Sequence, residues 1–297
     1  MMWVALAFLS ATLLGCYDFF KKVSLKDNSV VGVLLLNTLF SVLIFAPIII
    51  LSRTGYIEGG VLFVRELSFQ EHFLLQVKAI IVLLSWMFGY VGLKHLPITI
   101  VAPIQAMRPV IVLIGAVLFL GEGLNVYQWI GVVIVIISVF NIAKTEDGVY
   151  RVSARWVVFV LLSALFGAIS ALYDKYLMNS IEPIAVQSWF NVYQCIIMCV
   201  LVANTKIFLP KYSGGALHWR FSILMIPLFL GMADYCYYSA LAQEGAFIAV
   251  VSMIRRGSVV VSFLFGAFLL REKNIMAKAV DVILIIIGLF FLYLGSR

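Results

Sequence analysis

Three arginines and one aspartate stand inside long apolar runs. Arg108 lies about ten residues into 97–120, Arg255 and Arg256 about nine into 246–270, and Asp234 about thirteen into 221–242. A guanidinium carries five donors in a planar fork and stays charged at any physiological pH. Such a cluster therefore suits the holding of carboxylates, phosphates or other anions through charge-assisted hydrogen bonds. One aspartate cannot neutralise three arginines, which leaves a local excess of two positive charges. The same arginines could instead hold helices together through backbone carbonyls, Asp234 and Gln105, and both readings stand at this stage. Neighbouring positions on a helix point about 100° apart. Of Arg255 and Arg256, one is thus expected on substrate and the other on Asp234. Asp234 is the first candidate for coupling, and Asp281 the second.

Around this cluster the sequence offers polar faces. Gln187, Asn191 and Gln194 fall at i, i+4 and i+7, one continuous stripe on a helix. A lipid-facing stripe of amides is costly, so it lines either a cavity or a helix contact. Asn37, with Ser41, makes a thinner stripe on the second run, and Tyr90 and Tyr238 are candidates for an aromatic wall. Asp18, Lys22, Asp174 and Lys175 lie at the ends of the first and sixth runs. They read as a gate of ion pairs or as snorkelling side chains.

Other chemistries find little support. No phosphate-cradling glycine loop is present, so energy must come from a gradient or from exchange. Cys195 and Cys199 are one turn apart, but no His or further Cys completes a metal set. The aspartates are scattered and no His joins them, so no enzyme and no cofactor are expected. The net charge of +7 is spread over many connections without a polybasic block, which argues against a nucleic-acid partner.

The elements that must position these residues are membrane helices. Of 297 residues, 64% are hydrophobic and 12% charged, with mean hydropathy +1.11. A bilayer core needs roughly 20 apolar residues per helix. Ten candidate spans result: 3–20, 29–51, 73–93, 97–120, 126–143, 155–174, 183–205, 221–242, 246–270 and 275–294. The opening WVALAFLSATLLGC imitates a secretory signal but has no positive n-region, and is read as a retained span. The connection 52–72 has room for a short interfacial helix.

The spans fall into two copies. Trp3, Ser10-Ala11 and Lys22 have the spacing of Trp156, Ser163-Ala164 and Lys175, and Tyr90, Leu93 and Arg108 that of Tyr238, Leu241 and Arg256. The division is a first five-helix repeat over 1–143, a polar linker over 144–154 and a second repeat over 155–297. With five spans each, the copies must be inverted in the bilayer, a plan that puts a substrate site near midplane between the repeats. The expected fold is an all-α membrane protein of ten transmembrane helices in two inverted five-helix repeats. In the matched register, Arg108 and Arg256 approach the pseudo-twofold axis from opposite sides.

With LFLGE at Leu118–Glu122, LLRE at Leu269–Glu272 and QWIGVVIVIISV opening the fifth span, the sequence resembles the drug/metabolite transporter superfamily in its ten-helix, EamA-like form. The resemblance covers nearly the whole chain. It implies a transporter, and together with the arginine cluster the expected function is a secondary carrier of a small anionic or zwitterionic metabolite by alternating access, with a proton or a counter-substrate as coupling partner. Plastid phosphate translocators of the superfamily hold phosphate with a Lys-Arg pair on the ninth span and a Lys on the fourth. Arg255, Arg256 and Arg108 stand at the matching places, which implies an anion preference. The alternative is a flippase for a lipid with an anionic phosphate head group. The expected location is a multi-pass position in the lipid bilayer of a bacterial inner membrane. Positive charges concentrate in the odd connections, which places both termini outside by the positive-inside rule, whereas the resemblance implies cytoplasmic termini.

Overall fold

In the computed structural model of the chain, residues 2–111, 114, 124–144, 153–177, 180–204, 216–241, 243, 251 and 254–295 are described, without the side chains of 139, 140, 142–144, 171, 174, 175, 238 and 241. Every regular element among them is helical. In chain order they are α1 (Met2–Leu25), α2 (Val30–Arg53), α3 (Phe69–His95), α4 (Ile98–Ala106), α5 (Val126–Lys144), α6 (Ala154–Leu177), α7 (Pro183–Ala203), α8 (Phe221–Leu241), α9 (Ser258–Leu264, continued by a π-turn over Phe265–Leu269) and α10 (Ile275–Gly295). Among the described residues, α1, α2, α3, α7 and α10 are long and apolar enough to cross a membrane. Large apolar side chains such as Phe8, Leu43, Leu172 and Phe268 point outward. A soluble protein rarely presents so much apolar surface, and lipid covers it here.

Helix starts follow local chemistry. Ser29 caps α2 by accepting from the Gly32 N–H at 3.3 Å. Ser68 and Glu71 form a reciprocal capping box that begins α3 four residues before the expected 73. The connection that precedes it contains no helix. Residues 54–68 run irregularly, tied down by Arg53–Glu66 at 2.9 Å, Arg65–Glu71 at 2.5 Å and Val64, whose backbone N–H donates to Ser52 Oγ at 3.1 Å. Ion pairs and the buried Val64 side chain take the place of the expected interfacial helix.

The packing obeys one exchange rule. α1 lies on α8 as α6 lies on α3, α1 meets α9 as α6 meets α4, and α3 meets α7 as α8 meets α2. The pairs α2 with α7, α4 with α9 and α5 with α10 map onto themselves. This is the contact pattern of two five-helix repeats related by a pseudo-twofold axis, and an odd number of spans per repeat makes them inverted. The repeated serines explain part of it. Ser10 Oγ donates to the Ala233 carbonyl at 2.7 Å, and Ser163 Oγ to the Ser85 carbonyl, also at 2.7 Å. Ala11 and Ala164 beside them are buried, so a small side chain and a hydroxyl draw each helix pair close. At the α5–α10 crossing, a Cβ on Gly131 would stand 2.7 Å from the Gly288 carbonyl oxygen, so the two backbones touch there.

Both central helices break. In α4, Met107 N–H donates to the Ile104 carbonyl at 3.2 Å and the Met107 carbonyl accepts from Val110 at 2.9 Å. Gly257 repeats the pattern with Ile254 and Val260, at 2.9 Å each. Met107 and Gly257 therefore hold the same place in their repeats. This corrects the sequence register: Arg108 follows its break, Arg256 precedes its own, and the two are not strict counterparts.

Candidate functional site

A cavity of about 360 Å³ lies between the repeats, with walls from α1 to α4 and α6 to α9. Arg108, Arg255 and Arg256 all reach it, carried by the chain on either side of the two breaks. A broken helix leaves backbone groups and side chains facing inward, where water rather than lipid meets them. Each arginine at this depth costs about 2.5–3.5 kcal/mol without such an environment.

The three guanidinium groups have different partners. Arg255 is ion-paired with Asp234 and lies over the Tyr237 ring, its Cζ 4.3 Å from the ring centroid. Arg108 donates from Nε and Nη2 to the single carbonyl oxygen of Gln105, at 3.0 and 2.5 Å. Gln105 is held in turn: its Nε2 donates to Ser163 Oγ at 2.8 Å, and Ser85 Oγ donates to the Ser163 carbonyl at 2.8 Å. Thus the serine that staples α6 to α3 also orients the amide that orients Arg108. Arg256 has no hydrogen-bond or ion-pair partner among the described residues. The positive charges of Arg108 and Arg255 act on it repulsively.

Asp18 also faces the cavity and pairs with Lys21 at 2.7 Å, its second oxygen accepting from Ser262 Oγ at 3.3 Å. Lys78 lines the cavity too, its ammonium 5.1 Å from the Phe190 ring centroid. Among the described side chains the lining holds five cations and two carboxylates, so the chamber is strongly electropositive. Lys21 and Lys78 were missed from sequence because each lies close to the end of an apolar run. The capping box at Ser68 and Glu71, legible as S-x-x-E, moves the start of α3 back and sets Lys78 well inside the span.

The polar stripe divides. Gln187 and Asn191 line the cavity with Tyr90, and Asn191 Nδ2 donates to the Gln187 carbonyl at 2.7 Å. Gln194 and Asn37, expected there as well, are instead buried outside it on α7 and α2, two helices that pack together, and their amide atoms are unpartnered. The Tyr238 side chain lies outside the described residues. Asp281 is not in the cavity but buried on α10 beside α5, where its backbone carbonyl accepts from Ser138 Oγ at 2.7 Å.

The gate residues divide as well. Asp174 and Lys175 have side chains outside the described residues. Among the described residues Lys22 joins no ion pair: it donates to the carbonyls of Leu93 and Leu96, at 2.6 and 2.5 Å, and so satisfies the end of α3. Next to it, Pro97 offers no side-chain cap to α4. The Glu272 carboxylate supplies one from the other repeat, accepting from the N–H of Ile98 at 2.8 Å, the N–H of Thr99 at 3.1 Å and the Thr99 hydroxyl. An anion at a helix start meets both free N–H groups and a favourable dipole. Lys22 and Glu272 thus clamp the α3–α4 connection at one face of the protein.

A solved crystal structure has the same fold, with a TM-score of 0.63 over 99% of this chain and 98% of its own and 14% sequence identity. No curated protein matches the chain significantly. The model of the EamA-like transporter family matches twice, over residues 1–143 and 154–294. Helices, cavity and this double match agree on an integral, multi-pass membrane protein with a small-molecule substrate, and the chain belongs to the EamA-like transporter family.

Proposed function

We propose that the protein is a secondary carrier that moves a small anionic or zwitterionic metabolite by alternating access, with the substrate's anionic group held between Arg108 and Arg256. The observation that carries this reading is the guanidinium of Arg256, without a hydrogen-bond or ion-pair partner among the described residues, in an electropositive chamber. A charge buried for structural reasons is normally paired. Arg108 adds support, since its hydrogen-bond acceptor among the described residues is a neutral carbonyl oxygen and not a carboxylate. The chamber volume is that of an ordinary small-molecule site, which favours a metabolite-sized substrate.

Asp234 serves as the switch. It holds Arg255 in the empty carrier, and an arriving anion competes for that arginine. The released carboxylate then takes a new partner. Such competition supplies the differential interaction that a ligand needs to shift a conformational equilibrium. A proton or a counter-substrate is the coupling partner, and the host membrane is a bacterial inner membrane.

The test is a solute library screened for stabilisation of the purified protein, followed by uptake of each labelled hit into proteoliposomes. Anions should dominate the hits, and Arg108→Gln should lower uptake with the protein still folded. Uptake carried only by solutes without an anionic group would refute the proposal.

A further inference from the structure

Among the described side chains, both carboxylates that face the cavity are already covered by a cation of the chain. On α1, the Lys21 ammonium that pairs with Asp18 lies 4.2 Å from the centroid of the Tyr17 ring and 5.6 Å from that of Tyr90. On α8, Asp234 takes the Arg255 guanidinium, which lies over Tyr237. The two helices pack against each other, so both arrangements belong to one wall. A carboxylate flanked by tyrosine rings is the chemistry that binds a free organic ammonium, by ion pairing and by the ring quadrupole. In this protein each such place is filled from within.

We infer that Lys21 is a tethered ammonium occupying an ammonium subsite built from Asp18, Tyr17 and Tyr90, and that by doing so it selects metabolites with a carboxylate or phosphate but no free amine over their zwitterionic counterparts. The inference rests on the anion site at Arg108 and Arg256 and narrows what that site accepts.

A zwitterion whose anionic end sat on Arg256 would have to place its ammonium on Asp18 or Asp234, or leave it among Lys21, Arg108, Arg255 and Arg256. The last arrangement sets like charges side by side, which is unfavourable and disfavours the zwitterion. Evicting a resident cation is also costly. Lys21 is bound to the same helix as Asp18, so it competes at the high effective concentration of a short tether. Of the two residents, Lys21 is the replaceable one. It is a single ammonium on a flexible stem, whereas Arg255 is a forked group stacked on a ring. Removing the Lys21 side chain leaves Asp18 and the two rings in place around a vacancy of alkylammonium size.

Purified full-length protein with Lys21→Ala tests this by chemical rescue. Methylammonium chloride should raise its thermal stability saturably, potassium chloride at equal ionic strength should not, and the wild type should respond equally to both salts. A Lys21→Ala protein that responds to the two salts alike overturns the inference. A second measurement needs no variant: lactate and alanine, which share a skeleton and differ in hydroxyl against ammonium, compete with inorganic phosphate for the wild-type protein. Alanine should be about tenfold weaker than lactate or worse, and equal competition overturns the inference. If neither lactate nor phosphate binds but methylammonium still rescues Lys21→Ala, the anion reading fails while the ammonium subsite stands.

Discussion

The guanidinium of Arg108 occupies the space where a side chain at Gly167 would begin. A Cβ at that glycine would stand 2.6 Å from Arg108 Cζ and 2.7 Å from Nε. Gly167 belongs to α6 in the second repeat and Arg108 to the first, so the absence of one side chain sets where a cation from the other half can sit. Gly167→Ala should push the guanidinium out of place and lower anion affinity about tenfold, or ~1.4 kcal/mol. Fold and oligomeric behaviour should stay unchanged. Calorimetric titration with the strongest anion from a solute screen measures the effect.

The two staple serines give a matched pair. Ser10 and Ser163 make the same hydrogen bond across the same type of helix contact, but only Ser163 also receives Gln105. Each change to Ala should lower stability by about 1 kcal/mol. Ser163→Ala alone should also weaken anion binding, because the amide that orients Arg108 loses its anchor. Thermal unfolding and anion titration on the two variants separate the effects.

Much of this was legible in the sequence, and the losses have identifiable causes. Ten spans, the duplication and the inward arginines can be read because lipid demands long apolar runs and makes a midspan charge conspicuous. The repeat was legible from Ser10-Ala11 and Ser163-Ala164 because tight helix crossings require small residues at fixed places. Lys21 and Lys78 were not recognised, since a lysine near the end of an apolar run looks the same whether it snorkels outward or turns in. Asn37 and Gln194 share a helix stripe with true cavity residues, and spacing alone cannot say where a cavity ends. The role of Glu272 is a contact between repeats, which no local pattern encodes.

That contact makes a third prediction. Glu272 accepts from two backbone N–H groups of α4, and an amide oxygen cannot reproduce both bonds. In Glu272→Gln the α3–α4 connection should open more often. A cysteine placed at Leu96, in a background without the native cysteines, should then react faster with a membrane-impermeant thiol reagent. Glu272→Asp should fall between the two, its shorter stem reaching one N–H.

Asp234 gives the fourth. Asp234→Asn leaves Arg255 without its counter-charge and removes the competitor for an incoming anion. Anion binding should remain intact or tighten, while coupled transport should slow. A purely structural ion pair would instead lose binding and flux together, because an unpaired buried arginine destabilises the fold.

The central claim is that Arg256 is kept free for substrate. Arg256→Gln keeps hydrogen-bonding ability and removes the charge, so the most direct measurement is anion affinity of this variant against wild type, with folding verified by its unfolding transition. Affinity should fall by roughly 1.5–3 kcal/mol, the value of a charge-assisted contact, while stability holds or rises as repulsion from Arg108 and Arg255 is relieved. Unchanged anion affinity in a folded Arg256→Gln protein would contradict the claim and leave the arginine a structural residue.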